Sequence, residues 1–188
     1  TYPEWKKEYI TKTKNQGSSK DIGSKNFNSI SIEKPLRKGN VSDLYEIEIE
    51  GNRYTVDGKH VVLDYSEKEK EVAEIIAKDL GKDVKMFPRV VFPQGVKVSD
   101  YLIDDIRYDL KKITGKGKEV LYGNIKGKKD QSKNFVFELS GSPLNDDEIL
   151  RQIEGIYKSN HTKFVEKIII VKDDKVMQIY ERKNRSYL

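Results

Sequence analysis

Apolar and polar positions change period several times along the chain. From Tyr45 the alternation is strict, with Tyr45, Ile47 and Ile49 set against Glu46, Glu48 and Glu50. Period two is the pattern of a half-buried strand. Gly51-Asn52 signals a turn, Arg53-Tyr54-Thr55-Val56 a second strand, Asp57-Gly58 another turn and Val61-Val62-Leu63 a third strand, so a small antiparallel meander is expected. At Ser66 the period lengthens. Ser66-Glu67-Lys68-Glu69 is a capping box. Val72, Ile75, Ile76 and Leu80 then give one apolar helix face, which stops at Gly81. On a helical wheel Glu69 falls near that inward face in the first turn, so this cap residue also aims a carboxylate toward the sheet. Glu74 points to solvent and Glu71 lies on a flank.

Val84 to Val90 reads as a strand with an irregularity at Pro88, and Phe92-Pro93-Gln94-Gly95 as a loop. Asp100 to Lys111 reads as two strands joined by a tight turn at Asp104-Asp105. After it Thr114-Gly115-Lys116-Gly117-Lys118 makes a turn into a basic helix, and Asn134 to Leu139 a strand. Asn145 and Glu148 cap another helix, with Ile149, Ile153, Ile156 and Tyr157 on one face. Val165 to Val171 is a buried strand, turned by Asp173-Asp174 into a closing edge strand, Val176 to Tyr180. Residues 1 to about 40 are polar and small-residue-rich, as in Asn15-Gln16-Gly17-Ser18-Ser19-Lys20 and Gly23-Ser24-Lys25-Asn26. The expectation is an α+β fold, an α/β sandwich with a mixed sheet flanked by helices, over residues 44–188. A linker or N-terminal extension, loosely ordered or draped on the domain, is expected over residues 1–43.

Composition narrows the function classes. With 188 residues the chain can bury one core. It carries no cysteine and only two histidines, His60 and His161, which excludes disulfides, Cys-containing zinc sites and His-rich metal sites. No run approaches the ~18 apolar residues of a membrane span. No signal-peptide pattern opens the chain, and its start at Thr1 reads as that of a piece of something larger. The net charge is +5, which favours a polyanionic partner. The charge is concentrated, since Lys111, Lys112, Lys116, Lys118, Lys126, Lys128, Lys129 and Lys133 face only Glu119 and Asp130 over the same stretch. Such a run is commonly a solvated face. Beside a candidate metal site it suits phosphate-backbone contacts better. The Gly-Lys spacing is not that of a P-loop.

The hairpin carries the candidate chemistry. With a two-residue turn Ile103 pairs with Ile106, Leu102 with Arg107, Tyr101 with Tyr108 and Asp100 with Asp109. Asp109 and Lys111 then share a face, while Ile106, Tyr108 and Leu110 point the other way and read as core. Like charges facing across strands are destabilising. A hard divalent cation held by both carboxylates gives Asp100 and Asp109 a reason to face each other, Mg²⁺ foremost and Mn²⁺ or Zn²⁺ as alternatives. Lys111 would orient a water or offset charge on a phosphate.

The order of elements from Ser66, with these residues on them, resembles the PD-(D/E)XK nuclease superfamily. Glu69 matches its helix Glu, Asp100 its strand-start Asp, and Asp109-Leu110-Lys111 its D/E-x-K. Ser99 departs from the Pro of the superfamily's name. The chain also resembles the C-terminal nuclease domains of CdiA-type contact-dependent growth inhibition toxins, and similar domains of phage minor head proteins and mobile-element proteins. The segments that carry this are Val56-Asp57-Gly58-Lys59, Val61 to Ser66, Glu69 to Glu74, Phe87-Pro88-Arg89-Val90, Asp100 to Ile103, Tyr108 to Lys111 and Gln131 to Phe137. The resemblance implies a toxin nuclease acting on tRNA or other nucleic acid, delivered into the cytoplasm of a target bacterium and neutralised by a cognate immunity protein. Glu69, Asp100 and Asp109 would be metal ligands, and Lys111 and Gln131, at the end of the basic helix, would complete the site. Lys112, Lys116, Lys118, Lys126, Lys128 and Lys129 would hold the backbone.

Two other readings compete. A metal-independent ribonuclease of barnase/EndoU/colicin/RelE type would use the RNA 2′-OH, with general acid and base from His60, His161, a Glu or a Lys. A non-enzymatic nucleic-acid-binding or phage structural module would use the Asp/Lys hairpin only as a salt-bridged turn.

Overall fold

The computed structural model describes residues 25–184. In chain order the elements are β1 (Phe27–Ile30), β2 (Val41–Asp43), β3 (Glu46–Ile49), β4 (Asn52–Thr55), β5 (Val61–Val62), α1 (Glu67–Leu80), β6 (Val84–Met86), β7 (Arg89–Val90), β8 (Tyr101–Ile103), β9 (Ile106–Lys112), α2 (Val120–Ile125), β10 (Asn134–Glu138), α3 (Asp146–Lys158), β11 (Lys167–Lys172) and β12 (Lys175–Arg182). Eight strands form one mixed sheet in the order β1-β12-β11-β10-β9-β8-β6-β2. At its centre β9, β10 and β11 run parallel. Helix α1 covers one face and α2 and α3 the other, so the fold is the expected α+β sandwich.

The middle strands are apolar because both faces are covered. Phe135, Phe137, Ile168 and Ile170 pack with Ile149, Ile153, Ile156 and Tyr157 of α3. Val136, Ile169 and Val171 alternate to the other side and pack with Val72, Ala73, Ile76 and Ala77 of α1. Both helices start where their caps predict. Ser66 and Glu69 close one capping box, Asn145 and Glu148 the other, and Gly81 ends α1 in the left-handed region at φ 65°. The Asp104-Asp105 and Asp173-Asp174 turns both place two residues at positive φ, as two-residue hairpin turns require.

Several expectations are corrected. Residues 1–24 and 185–188 lie outside the described residues, and with them the first part of the expected linker. The described part is not draped on the domain. β1 pairs with β12 and β2 with β6, and Phe27 is buried, stacked on Tyr157 at 5.0 Å between ring centroids. β12 is therefore not the sheet's edge. The meander is a two-stranded hairpin, β3–β4, turned at Glu50-Gly51, because β5 pairs instead with β7 beyond α1. The basic helix shrinks to the six residues of α2, which has no side-chain cap. Ile106 is 38% exposed rather than core, since it adjoins the turn at the hairpin's tip.

Candidate active site

The site forms where β8 leaves β9. The two strands pair as expected at Ile103–Ile106, Leu102–Arg107 and Tyr101–Tyr108. The fourth pair, Asp100–Asp109, does not form. The ladder slips, and the Asp100 N–H donates to Tyr108 O at 3.1 Å. The slip has a visible anchor, because the neighbouring Ser99 Oγ donates to the Gln131 carbonyl at 3.3 Å. Beyond this point β9 keeps only β10 as its strand neighbour among the described residues. The Leu110 N–H, left without a strand carbonyl, donates to Asp100 Oδ2 at 2.7 Å. One carboxylate thus replaces a missing strand.

Asp109 lies next to Phe135 in the parallel register, on the α2–α3 face of the sheet. Its side chain is 5% exposed. Oδ2 stands 3.5 Å from Lys111 Nζ, and among the described residues the buried Oδ1 has no hydrogen-bond partner. An unsatisfied buried carboxylate oxygen is costly. Burial accordingly pushes the Asp109 pKa up, against the opposing charges of Lys111 and Lys128. Asp100 is pushed up to about 6, first by burial and then by the charges of Asp109 and Glu69. The Leu110 N–H and Arg89 pull the other way.

Glu69 approaches from α1. Its Oε2 accepts the Ser66 N–H at 2.6 Å and its Oε1 accepts Arg89 Nη2 at 2.6 Å. The Tyr101 hydroxyl donates to the Glu69 carbonyl at 2.6 Å, tying the first turn of α1 to β8. Arg89 Nη2 is also 3.9 Å from Asp100 Oδ1.

The fold therefore brings Glu69, Asp100, Asp109 and Lys111 together and adds Lys128 through its charge on Asp109. Lys128 lies in the turn after α2, and that turn is tied to the segment before β8, with Ser99 Oγ donating to Gln131 O at 3.3 Å. Gln131 belongs to this turn and not to a helix, because α2 ends at Ile125. Its contact with the site is through its backbone carbonyl. The other lysines are spread. Lys112 alternates to the face opposite Lys111 and is exposed. Lys116 and Lys118 precede α2, and Lys126 and Lys129 follow it, with Lys126 Nζ 5.9 Å from the Tyr122 ring centroid. Arg89 was missed as a site residue. Its only signal was its place in the Phe87-Pro88-Arg89-Val90 segment.

Among the described residues no three His, Cys, Asp or Glu side chains are grouped as a metal site would require. Two carboxylates are nevertheless a common protein contribution to Mg²⁺, whose other ligands are waters and phosphate oxygens. The orphaned Asp109 Oδ1 beside Asp100 fits that donor set. Neither histidine is at the site. His60 is exposed, with Nδ1 2.8 Å from Asp57 Oδ2, and His161 lies in a short 3₁₀ turn after α3.

Residues 97–176 match the family model of the contact-dependent growth inhibition CdiA C-terminal domain. The match spans less than half of the chain. It contains Asp100, Asp109, Lys111 and Gln131 and leaves Glu69 and Arg89 outside. No curated protein matches the sequence. Among solved structures the chain is similar to a chain of the CdiA-CT/CdiI toxin and immunity complex from Burkholderia pseudomallei. The identity is 18%, the alignment covers 74% of this chain and 98% of that chain, and the TM-score is 0.47.

Proposed function

We propose that this chain is an antibacterial toxin domain that hydrolyses phosphodiester bonds of nucleic acid, tRNA foremost, with a divalent metal ion. The observation that carries the reading is the buried Oδ1 of Asp109, unpartnered among the described residues and set beside Asp100 and Lys111 where β8 leaves β9. A fold does not strand a carboxylate oxygen without cost, and a cation supplies the missing partner. The toxin character is supported by the family match over residues 97–176.

Asp100 and Asp109 would hold the ion. When bound, such an ion polarises the scissile phosphate and acidifies an attacking water. The remaining work falls to the chain. Lys111, 19% exposed and held toward Asp109, presents a fixed positive charge on the face where the phosphate must lie, offsetting charge that builds on its oxygens. Asp100 also keeps the unpaired backbone of β9 in place through Leu110. Lys116, Lys118, Lys126, Lys128 and Lys129 flank α2 and would bind the nucleic-acid backbone without reading sequence. A cognate immunity protein in the producing cell, and delivery into the cytoplasm of a target bacterium, belong to the same reading.

The test is incubation of the protein with total tRNA and, separately, plasmid DNA, with Mg²⁺, Mn²⁺, Zn²⁺ or EDTA. Cleavage that EDTA stops, and that Asp109→Asn abolishes without loss of fold, is the expected result. Full activity of Asp109→Asn would overturn the reading. The metal-independent alternative has one observation in its favour, the His60–Asp57 pair at 2.8 Å. Cleavage of tRNA that survives EDTA and is lost in His60→Ala would move the assignment there.

A further inference from the structure

Glu69 reaches the site with both carboxylate oxygens engaged. Oε2 serves the capping box through the Ser66 N–H, and Oε1 is 2.6 Å from Arg89 Nη2. The cap bond holds the carboxylate in place for as long as α1 is formed. Arg89 is held just as firmly, since its Nε donates to Asp64 O at 2.8 Å, two residues before the cap. Its backbone is fixed by the pairing of β7 with β5, where Arg89 faces Val62. A divalent cation drawn to Oε1 would meet a guanidinium already in contact with that oxygen, and the two positive charges would repel.

Resting on the nuclease reading above, we infer that Arg89 is the residue that grips a nucleic-acid phosphate at this site. Glu69 is its positioning residue and does not join Asp100 and Asp109 in holding a metal ion. The exposures agree with this division. The Arg89 side chain is 45% exposed, whereas Glu69 is 16% and Asp100 18% exposed. The inner partners are sheltered and the cation is presented. Among the described residues Nε and Nη2 are the atoms used in the anchoring, which leaves the Nη1 edge of the guanidinium for a ligand. A planar guanidinium anchored on one side presents N–H groups in a fixed direction, an arrangement suited to phosphate oxygens. The 3.9 Å approach of Nη2 to Asp100 Oδ1 sets this grip next to the carboxylates, within one phosphate's reach of them.

Two measurements test the assignment. The first is Mn²⁺ binding by calorimetry to the wild-type chain, Asp109→Asn and Glu69→Gln. Gln still caps the Ser66 N–H, so the helix start survives. Asp109→Asn should weaken Mn²⁺ by roughly a hundredfold, and Glu69→Gln by no more than about threefold. The second is the anisotropy of a fluorescein-labelled single-stranded RNA oligonucleotide in EDTA. Arg89→Ala should weaken binding by roughly ten- to a hundredfold and lower the salt slope by about one counterion. Glu69→Gln should weaken RNA binding less, and its effect should vanish in the Arg89→Ala background, as expected of a residue that acts through Arg89. Should Arg89→Ala fail to fold, Arg89→Lys keeps the charge, loses the fork and should show a smaller loss. Loss of Mn²⁺ binding in Glu69→Gln as deep as in Asp109→Asn would overturn the assignment, as would wild-type RNA affinity in the folded Arg89 variant. A wild-type chain that takes up no Mn²⁺ would overturn the metal reading, and the RNA titrations would still decide Arg89.

Discussion

Replacing Asp100 with Asn should make the metal-free protein more stable at neutral pH, although the residue is placed here at the heart of the site. The folded protein raises the Asp100 pKa from 3.8 to about 6, chiefly by burial. A raised carboxyl pKa means that the native state holds the proton more tightly than the unfolded chain does. The stability from that group is therefore fully present below about 4 and is lost as pH rises through about 6. A shift of about two units corresponds to roughly 3 kcal/mol at pH 8. Asn is neutral at every pH and its amide oxygen can still accept the Leu110 N–H. What it gives up is the 3.9 Å approach of Arg89, so the net gain should be about 1–3 kcal/mol. For a chain of this length that is an increase in Tm of roughly 3–10 °C. The assay is urea unfolding of wild type and variant in EDTA at pH 8 and pH 4.5. The variant should be the more stable at pH 8, and the gap should shrink to about a third at pH 4.5, where the native Asp100 is already protonated. Equal or lower stability of Asp100→Asn at pH 8, or a gap that ignores pH, would refute the burial argument. Added Mg²⁺ should reverse the ranking by stabilising only the wild type.

On the proposed function cleavage should itself depend on pH, since Asp100 would have to shed its proton to hold a cation. Activity should rise with pH through about 6 and level off above it, measured as initial rates at fixed Mg²⁺ and ionic strength; a rate that falls over that range would contradict the assignment. Phe27→Ala, far from the site in sequence and outside the family-matched segment, should cost about 3–5 kcal/mol of stability by urea unfolding, because the ring is buried against Tyr157 and Tyr180. A cost below about 1 kcal/mol would mean that β1 is not part of the folding unit.

What the amino-acid pattern made legible is what neighbours in sequence decide. The capping boxes at Ser66 and Asn145, the Asp-Asp turns and the apolar runs of β10 and β11 are local codes, and the structure carries each of them. What escaped depends on partners far along the chain. Phe27 sits among Asn, Ser and Lys and looks like linker until Tyr157 and Tyr180 are folded against it. Val61-Val62 looks like the third strand of a meander because its real partner, β7, lies beyond an entire helix. Arg89 follows a proline and belongs to no periodic run, and only the fold brings it to Glu69.

The site shows the same division in sharper form. Pairing rules carried the hairpin correctly from Ile103–Ile106 to Tyr101–Tyr108 and then failed at one position. Regular pairing there would satisfy the Leu110 N–H with a strand carbonyl and set two carboxylates face to face. The slip instead gives that N–H to the Asp100 side chain and leaves Asp109 Oδ1 buried and unpaired. The like charges of Asp100 and Asp109 disfavour the regular pair, but the residues of the hairpin do not say where the ladder goes instead. The departure is sustained from outside, by the core under Tyr101 and Tyr108, by Tyr101 bonded to α1 and by Ser99 bonded to the turn after α2. A fold that spends its regular elements on holding one irregular carboxylate pair is less stable without a ligand than it could be. This is why a neutral substitution at Asp100 is expected to strengthen the fold and abolish the chemistry together.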